Sequence, residues 1–263
     1  MDFVSLACVN FAASPPALAL FTMQAESHML LGGRFSKSAG LFSCLFLLMV
    51  VQLSAQSPVS NLPVTVKAPA AGSTEPLIIY ITGDGGMKKF SANVIESFHQ
   101  KNYPVVALNA LKYFWSKKTP QQAARDVASL VKYYQAQWGS NHGVLLIGYS
   151  LGADVLPFIY TSLPGEVTAE VKQLVLLSPS QNTDLEVHIS DMLGKSGNKG
   201  MSVPAEINKI TGKPLLLVFG AEEKDFNFSA LGIPYQKLVL PGGHAYDEDA
   251  GGVAGKILST LHP

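Results

Sequence analysis

Val144-Leu145-Leu146-Ile147-Gly148-Tyr149-Ser150-Leu151-Gly152-Ala153-Asp154-Val155-Leu156 is the stretch on which the reading of the fold turns. An apolar run of strand length enters Gly-x-Ser-x-Gly, and an apolar run suited to a helix leaves it. Glycines at 148 and 152 let the chain reverse sharply, so that the serine hydroxyl is pushed out over the edge of a sheet. The backbone N–H of Leu151, opening the next helix, then points to where an oxyanion forms. A plain strand-to-helix turn with a solvated serine has the same five residues, so the rest of the chain has to decide.

Outward from this turn, short Val/Ile/Leu runs alternate with helical patterns. Leu77–Ile81, Pro104–Leu108, Leu174–Leu177, Leu215–Phe219 and Gln236–Leu240 read as further strands, with Val144–Ile147 among them. Ser91–Lys101, Thr119–Trp138, Leu151–Leu163 and Val253–Leu261 read as helices. Thr119 followed by Pro120 and Gln122 is an N-terminal capping box with proline in the first turn. This alternation predicts an α/β fold whose mostly parallel sheet is covered by helices on both faces. Residues 57–263 are expected to form one such domain, and Ser57–Pro76 reads as a polar, proline-punctuated approach to it.

The first 56 residues read as an export segment. No charge occurs from Ser38 to Val66, the centre from Leu41 to Val51 is almost wholly apolar, and Arg34 and Lys37 precede it. This is the layout of a secretory signal, with Ala55 as the last residue removed and Met29 as the expected true start. Cys8 and Cys44, the chain's 2 cysteines, leave with it, so a disulfide framework or a cysteine zinc site is not expected in the remainder. The 263-residue chain is 48% apolar and 14% charged, with 19 basic and 19 acidic residues. That excludes a disordered protein and leaves no basic excess for a nucleic-acid backbone.

A serine attacks only when a base takes its proton, and in this strand–turn–helix setting the order is Ser, then acid, then His. His99 and His142 precede Ser150, His262 is penultimate, and His188 stands in an alternating run that suits a structural role. His244 follows a strand through Pro241-Gly242-Gly243 and is the expected base. Asp225, in the loop after Leu215–Phe219, is the expected acid, with Glu222 and Glu223 as rivals. The second oxyanion donor is expected at Gly85, within Gly83-Asp84-Gly85-Gly86. No Lys-Ser or Lys-Thr follows those glycines at P-loop spacing, which argues against nucleotide binding.

Several of these stretches resemble the bacterial virulence protein family AcvB/VirJ: Gly83–Gly86, Ala110–Ser116 with Thr119-Pro120, Leu146–Phe158, Val187–Ser190 and Gly242–His244. The chain departs from that pattern at Met87, Leu151 and Ala245. The resemblance implies an α/β-hydrolase-type fold, a periplasmic serine hydrolase, and roles in catalysis for Ser150, Asp225 and His244. The implied substrate is aminoacylated phosphatidylglycerol, notably the lysyl form, cleaved at its aminoacyl ester. A cationic aminoacyl group calls for a carboxylate near the nucleophile, and Asp84 and Asp154 are the candidates, Asp154 standing one helical turn after Ser150. No metal or cofactor is called for. The expected partner is a small-molecule or lipid head-group ester, with contact to a membrane surface and none to nucleic acid. The rival readings are a general carboxylesterase or thioesterase and a binding protein of the envelope or a secretion assembly without catalysis.

Overall fold

The computed structural model describes residues 59–187 and 200–261. The expectations for Met29, Ala55, Cys8, Cys44, His188 and His262 lie outside the described residues.

Strands β1 (Val64–Lys67), β2 (Leu77–Ile81), β3 (Val105–Leu108), β4 (Val144–Tyr149), β5 (Val171–Leu177), β8 (Leu215–Gly220) and β9 (Gln236–Leu240) form a 7-stranded sheet in the order β1-β3-β2-β4-β5-β8-β9. All neighbours are parallel except β1, which runs antiparallel along β3. A separate two-stranded antiparallel sheet pairs β6 (Asn182–Thr183) with β7 (Met201–Ser202). The sheet is therefore mixed only at its first edge, as expected where crossover helices cover both faces.

Because successive strand residues point to opposite faces, each parallel strand feeds two cores. Ile79, Ile81, Leu146, Leu176 and Leu217 meet the layer of α3 (Pro120–Trp138), α4 (Leu151–Thr161) and α6 (Val203–Ile207). Ile78, Tyr80, Ile147, Val175 and Val218 meet the layer of α1 (Lys89–Gln100) and α7 (Ala250–Ser259). Two shorter helices, α2 (Ala110–Tyr113) and α5 (Gly165–Glu170), complete the order.

The helix ends are legible in chemistry. At α3, Gln122 N–H donates to Thr119 Oγ1 at 3.1 Å and Thr119 N–H to Gln122 Oε1 at 2.9 Å, and Gly139 closes the helix at φ 62°. Helix α7 begins three residues before the expected Val253, because Asp249 caps it by accepting from Gly252 N–H at 2.9 Å. Strand β1 falls inside the segment read as a polar approach. It has only 4 residues and is half-exposed, and its pairing with β3 supplies the order that its own pattern lacks.

Candidate active site

The C-terminal ends of β2, β4, β5, β8 and β9 converge on one edge of the sheet, and each delivers one part of the site. At the end of β4, Ser150 has φ 53° and ψ −121°, a conformation costing an L-residue about 1–3 kcal/mol. Its surroundings impose it. Ser150 N–H donates to Leu177 O of β5 at 2.9 Å, and Ser150 O accepts from the N–H groups of Ala153 and Asp154, so the residue is tied to a strand and a helix at once. A Cβ at Gly148 would run into the Gly152 carbonyl, and one at Gly152 into the Ile81 carbonyl of β2. Leu151 is the first residue of α4, so its N–H has no acceptor inside the helix.

His244 stands four residues past β9, on a loop whose Gly242 adopts φ 81°. Its Nδ1 lies 2.8 Å from Glu223 Oε1. A carboxylate only accepts, so Nδ1 carries the proton and Nε2 is left as an acceptor. Glu223 is itself fixed: its Oε2 accepts from Gly220 N–H at 2.7 Å and from Ser178 Oγ at 2.7 Å. Ser178, buried at the end of β5, lies 2.6 Å from the Tyr246 hydroxyl. Ser178 gives its one proton to the carboxylate, and the Tyr246 hydroxyl shares its own between Ser178 Oγ and Val218 O, 3.1 Å away, which completes a Tyr246–Ser178–Glu223–His244 chain. Phe228 packs edge to face on Phe219 and Phe226, which are tilted against each other, all with centroids 5.0–5.2 Å apart, and the three hold down the loop that carries Glu223.

Asp225, expected as the acid, is not the group that reaches the histidine. It is exposed, and its backbone carbonyl accepts from Gln181 Nε2 at 2.9 Å. Glu222 is also exposed, its N–H donating to Gly242 O at 3.0 Å. The choice among three carboxylates within four residues is made by Ser178 and Gly220, which capture Glu223. Neither supporting group was read from the sequence: Ser178 lies 45 residues away from its partner, and the Gly220 N–H is a backbone donor that no residue type marks.

Ser150, His244, Asp84 and Gly85 line one cleft of about 500 Å³. His244 also borders a second, of about 740 Å³, between the Ser178–Asn182 and Glu222–Phe226 segments. Among the described residues no hydrogen bond joins Ser150 Oγ to the imidazole; such bonds commonly tighten only when substrate binds. Tyr149 fixes the ring's loop instead, donating from its hydroxyl to His244 O at 3.2 Å. Asp154 is committed elsewhere: buried, it accepts from Ser180 N–H at 2.6 Å and Ser180 Oγ at 2.8 Å. Burial pushes its carboxyl up to about 7, against the Ser180 bonds. Asp84, half-buried, stays in the cleft with Ser150. Among the described residues no cluster of three or more His, Cys, Asp or Glu could hold a metal ion.

The charges around the pair are mutually adjusted. The Glu223 bond raises the His244 imidazole above its ordinary value, against partial burial. Burial pushes Glu223 upward, but its bonds from His244, Ser178 and Gly220 together prevail and hold it below the usual carboxylate range. A base must be neutral to work, so kcat/KM for ester hydrolysis is expected to rise with pH through the raised imidazole value, above about 6.5, and then level off. Glu223→Gln moves this limb to lower pH, because the charge that favours imidazolium is gone. Asp154→Asn moves the limb the same way but less, because its charge also favours the imidazolium and ranks below Glu223 as a cause; a limb that moved more with Asp154 than with Glu223 would assign it to that carboxyl. A pH–rate profile of the three proteins decides.

An edge that gathers a serine on a strained turn, a histidine and a buried-side carboxylate belongs to an α/β-hydrolase fold, and solved structures agree. The chain is similar to Est1E from Butyrivibrio proteoclasticus with bound ferulic acid (TM-score 0.55, 15% identity, 76% of this chain and 94% of that one). It is similar to a proline iminopeptidase from Mycobacterium smegmatis (0.55, 14%, 76% and 93%). It also resembles naproxen esterase from Bacillus subtilis (0.53, 13%, 88% and 100%). Likeness at such identity speaks for the fold alone. No curated protein matches the chain. Residues 75–263 match the bacterial virulence protein (VirJ) family, and the chain belongs to it.

Proposed function

We propose that this protein is a serine hydrolase of esters, with Ser150 as nucleophile, His244 as base and Glu223, in place of the expected Asp225, as the acid. The observation that carries the reading is the 2.8 Å Glu223–His244 contact beside a serine held at positive φ. In the reaction, Ser150 Oγ attacks the ester carbonyl as its proton passes to His244 Nε2. The resulting imidazolium is stabilised by Glu223, and the N–H groups of Leu151 and Gly85 receive the oxyanion. Collapse expels the alcohol, which takes the proton from His244. Water then attacks the acyl-serine with His244 again as base, releasing the acid.

Esters are favoured as the bond type by the family resemblance and by fold relatives named as esterases. The aminoacyl ester of lysyl-phosphatidylglycerol is the finer reading, supported by the same resemblance and by Asp84, a carboxylate beside the nucleophile. A general carboxylesterase or thioesterase is the second reading, supported by the breadth of the fold. Export to the periplasm, with residues 57–263 as the working domain, follows from the leader-like segment.

A fluorophosphonate probe is expected to label the wild-type protein and not Ser150→Ala. Labelling that survives the alanine change, or its absence from the folded wild type, sinks the serine-hydrolase reading and leaves a binding protein. Rates on lysyl and uncharged aminoacyl esters, in wild type and Asp84→Asn, then separate the two substrate readings. A lysyl preference of about tenfold or more, narrowed in the variant, is the result expected of a charge-assisted contact.

A further inference from the structure

The edge of the sheet that carries the site is electrically divided, although the whole chain has a formal net charge of +0. The loops after β8 and β9 hold Glu222, Glu223, Asp225, Asp247, Glu248 and Asp249 against a single cation, Lys224. The segments that follow β2 and β3, including the start of α1 and all of α2, hold Lys88, Lys89, Lys112, Lys117 and Lys118. β2 and β3 are parallel neighbours, with Ile81 opposite Leu108, so their following loops leave from the same edge side by side. The acidic groups on this basic side are Asp84, in the cleft, Asp126, which accepts from the Tyr113 hydroxyl at 2.6 Å, and the half-buried Asp184 and Glu186, whose segment is tied to Phe114 and Lys118 by backbone hydrogen bonds, so the lysines outnumber the carboxylates by five to four. Among the described residues Lys88, Lys89, Lys112 and Lys117 have no ion pair.

Between Lys112 and Lys117 in the chain stands Trp115, 60% exposed beside a fully buried Phe114. Among the described residues it is the most exposed of the large apolar side chains. An uncovered indole is costly in water, and its amphipathic ring is best placed at the head-group level of a membrane. Lysines around it meet the negative potential of anionic lipids, each strengthening attachment roughly fivefold. A single-stranded nucleic acid would instead need successive rings on which to stack, and only one ring projects here. Among the described residues no helix is long and apolar enough to cross a membrane, so the contact is peripheral.

We propose that this patch seats the protein on an anionic phospholipid surface, with Trp115 at head-group level, Lys112 and Lys117 against lipid phosphates, and the Ser150 cleft beside the contact. The acidic side of the edge is repelled, which fixes the orientation. The hydrolysis of a lipid ester rests on the function proposed above, whereas the seating does not.

The test uses protein recovered from cells that express and process the full chain, in a Ser150→Ala background so that lipids stay intact. Sedimentation with vesicles of equimolar phosphatidylglycerol and phosphatidylcholine is compared with phosphatidylcholine alone. Binding is expected only to the anionic vesicles and is expected to fall with salt. It weakens about tenfold in Trp115→Ala and about 25-fold in the Lys112→Ala/Lys117→Ala pair. With Trp138→Phe removing the other tryptophan, the emission of Trp115 shifts to the blue on anionic vesicles. Equal binding to both vesicle types, or anionic binding that none of these variants weakens, overturns the proposal. In the active background, the same Trp115 and lysine variants keep wild-type turnover of a water-soluble ester. Failure of the wild type on soluble and lipid esters rejects the hydrolase reading, while selective vesicle binding in that case still supports the seating.

Discussion

Glu223→Gln is expected to lower kcat for ester hydrolysis by roughly 10³–10⁴-fold, the scale seen when a triad acid becomes an amide, while Asp225→Asn stays within about twofold. The reason lies in donors and acceptors. Ser178 Oγ and Gly220 N–H both donate to Oε2, at 2.7 Å each, so a glutamine keeps its oxygen there and turns its NH₂ toward His244. Nδ1 must then accept, the ring proton moves to Nε2, and the nitrogen facing Ser150 has no lone pair with which to take a proton. Size and packing are nearly unchanged, so the melting temperature serves as a control for folding. A loss confined to Asp225→Asn would reverse the assignment of the acid.

Gly152→Ala is expected to destabilise the protein by about 3 kcal/mol or more, lowering Tm by roughly 6–12 °C. The added methyl meets the backbone carbonyls of Ile81 and Thr82. Neither can rotate away as a side chain could, since β2 is held on both sides by β3 and β4. Gly255→Ala, in the body of α7 with nothing within 4 Å of the new carbon, has the opposite sign. There the exchange is expected to stabilise by about 0.5–1 kcal/mol, because the unfolded chain loses freedom that the helix never used. Thermal melts of the two variants check both; a neutral Gly152→Ala would mean that the elbow is not tightly packed against β2.

The nucleophile turn and the helix starting at Thr119 were legible because their chemistry is local. Gly148, Ser150 and Gly152 constrain one another within five residues, and Thr119 with Gln122 satisfies its own N–H groups. The parallel strands were legible for another reason: buried on both faces, they are apolar at nearly every position. What was hidden depends on distant partners. β1 is partly exposed along its whole length and has one edge unpaired in the sheet, so no pattern distinguishes it until β3 is present. Glu222, Glu223 and Asp225 look alike in a sequence, and the selection of Glu223 is made by groups from β5 and β8. Asp154 has the right spacing for the cleft, one turn from Ser150, but Ser180 takes both of its oxygens.

The chain from Tyr246 through Ser178 to Glu223 has a consequence for when the site exists at all. Ser150 heads α4, whose side chains fill one core, whereas Tyr246 is buried in the other, stacked on Phe90 with centroids 5.7 Å apart. The carboxylate that serves the serine is thus anchored in both layers, by Phe219 and Phe226 in the serine's own core and by Tyr246 in the other. A form in which either layer is still open lacks one of the two supports of Glu223. Such a form meets esters without harm to them, and hydrolysis is gained in one step, with the last core to close.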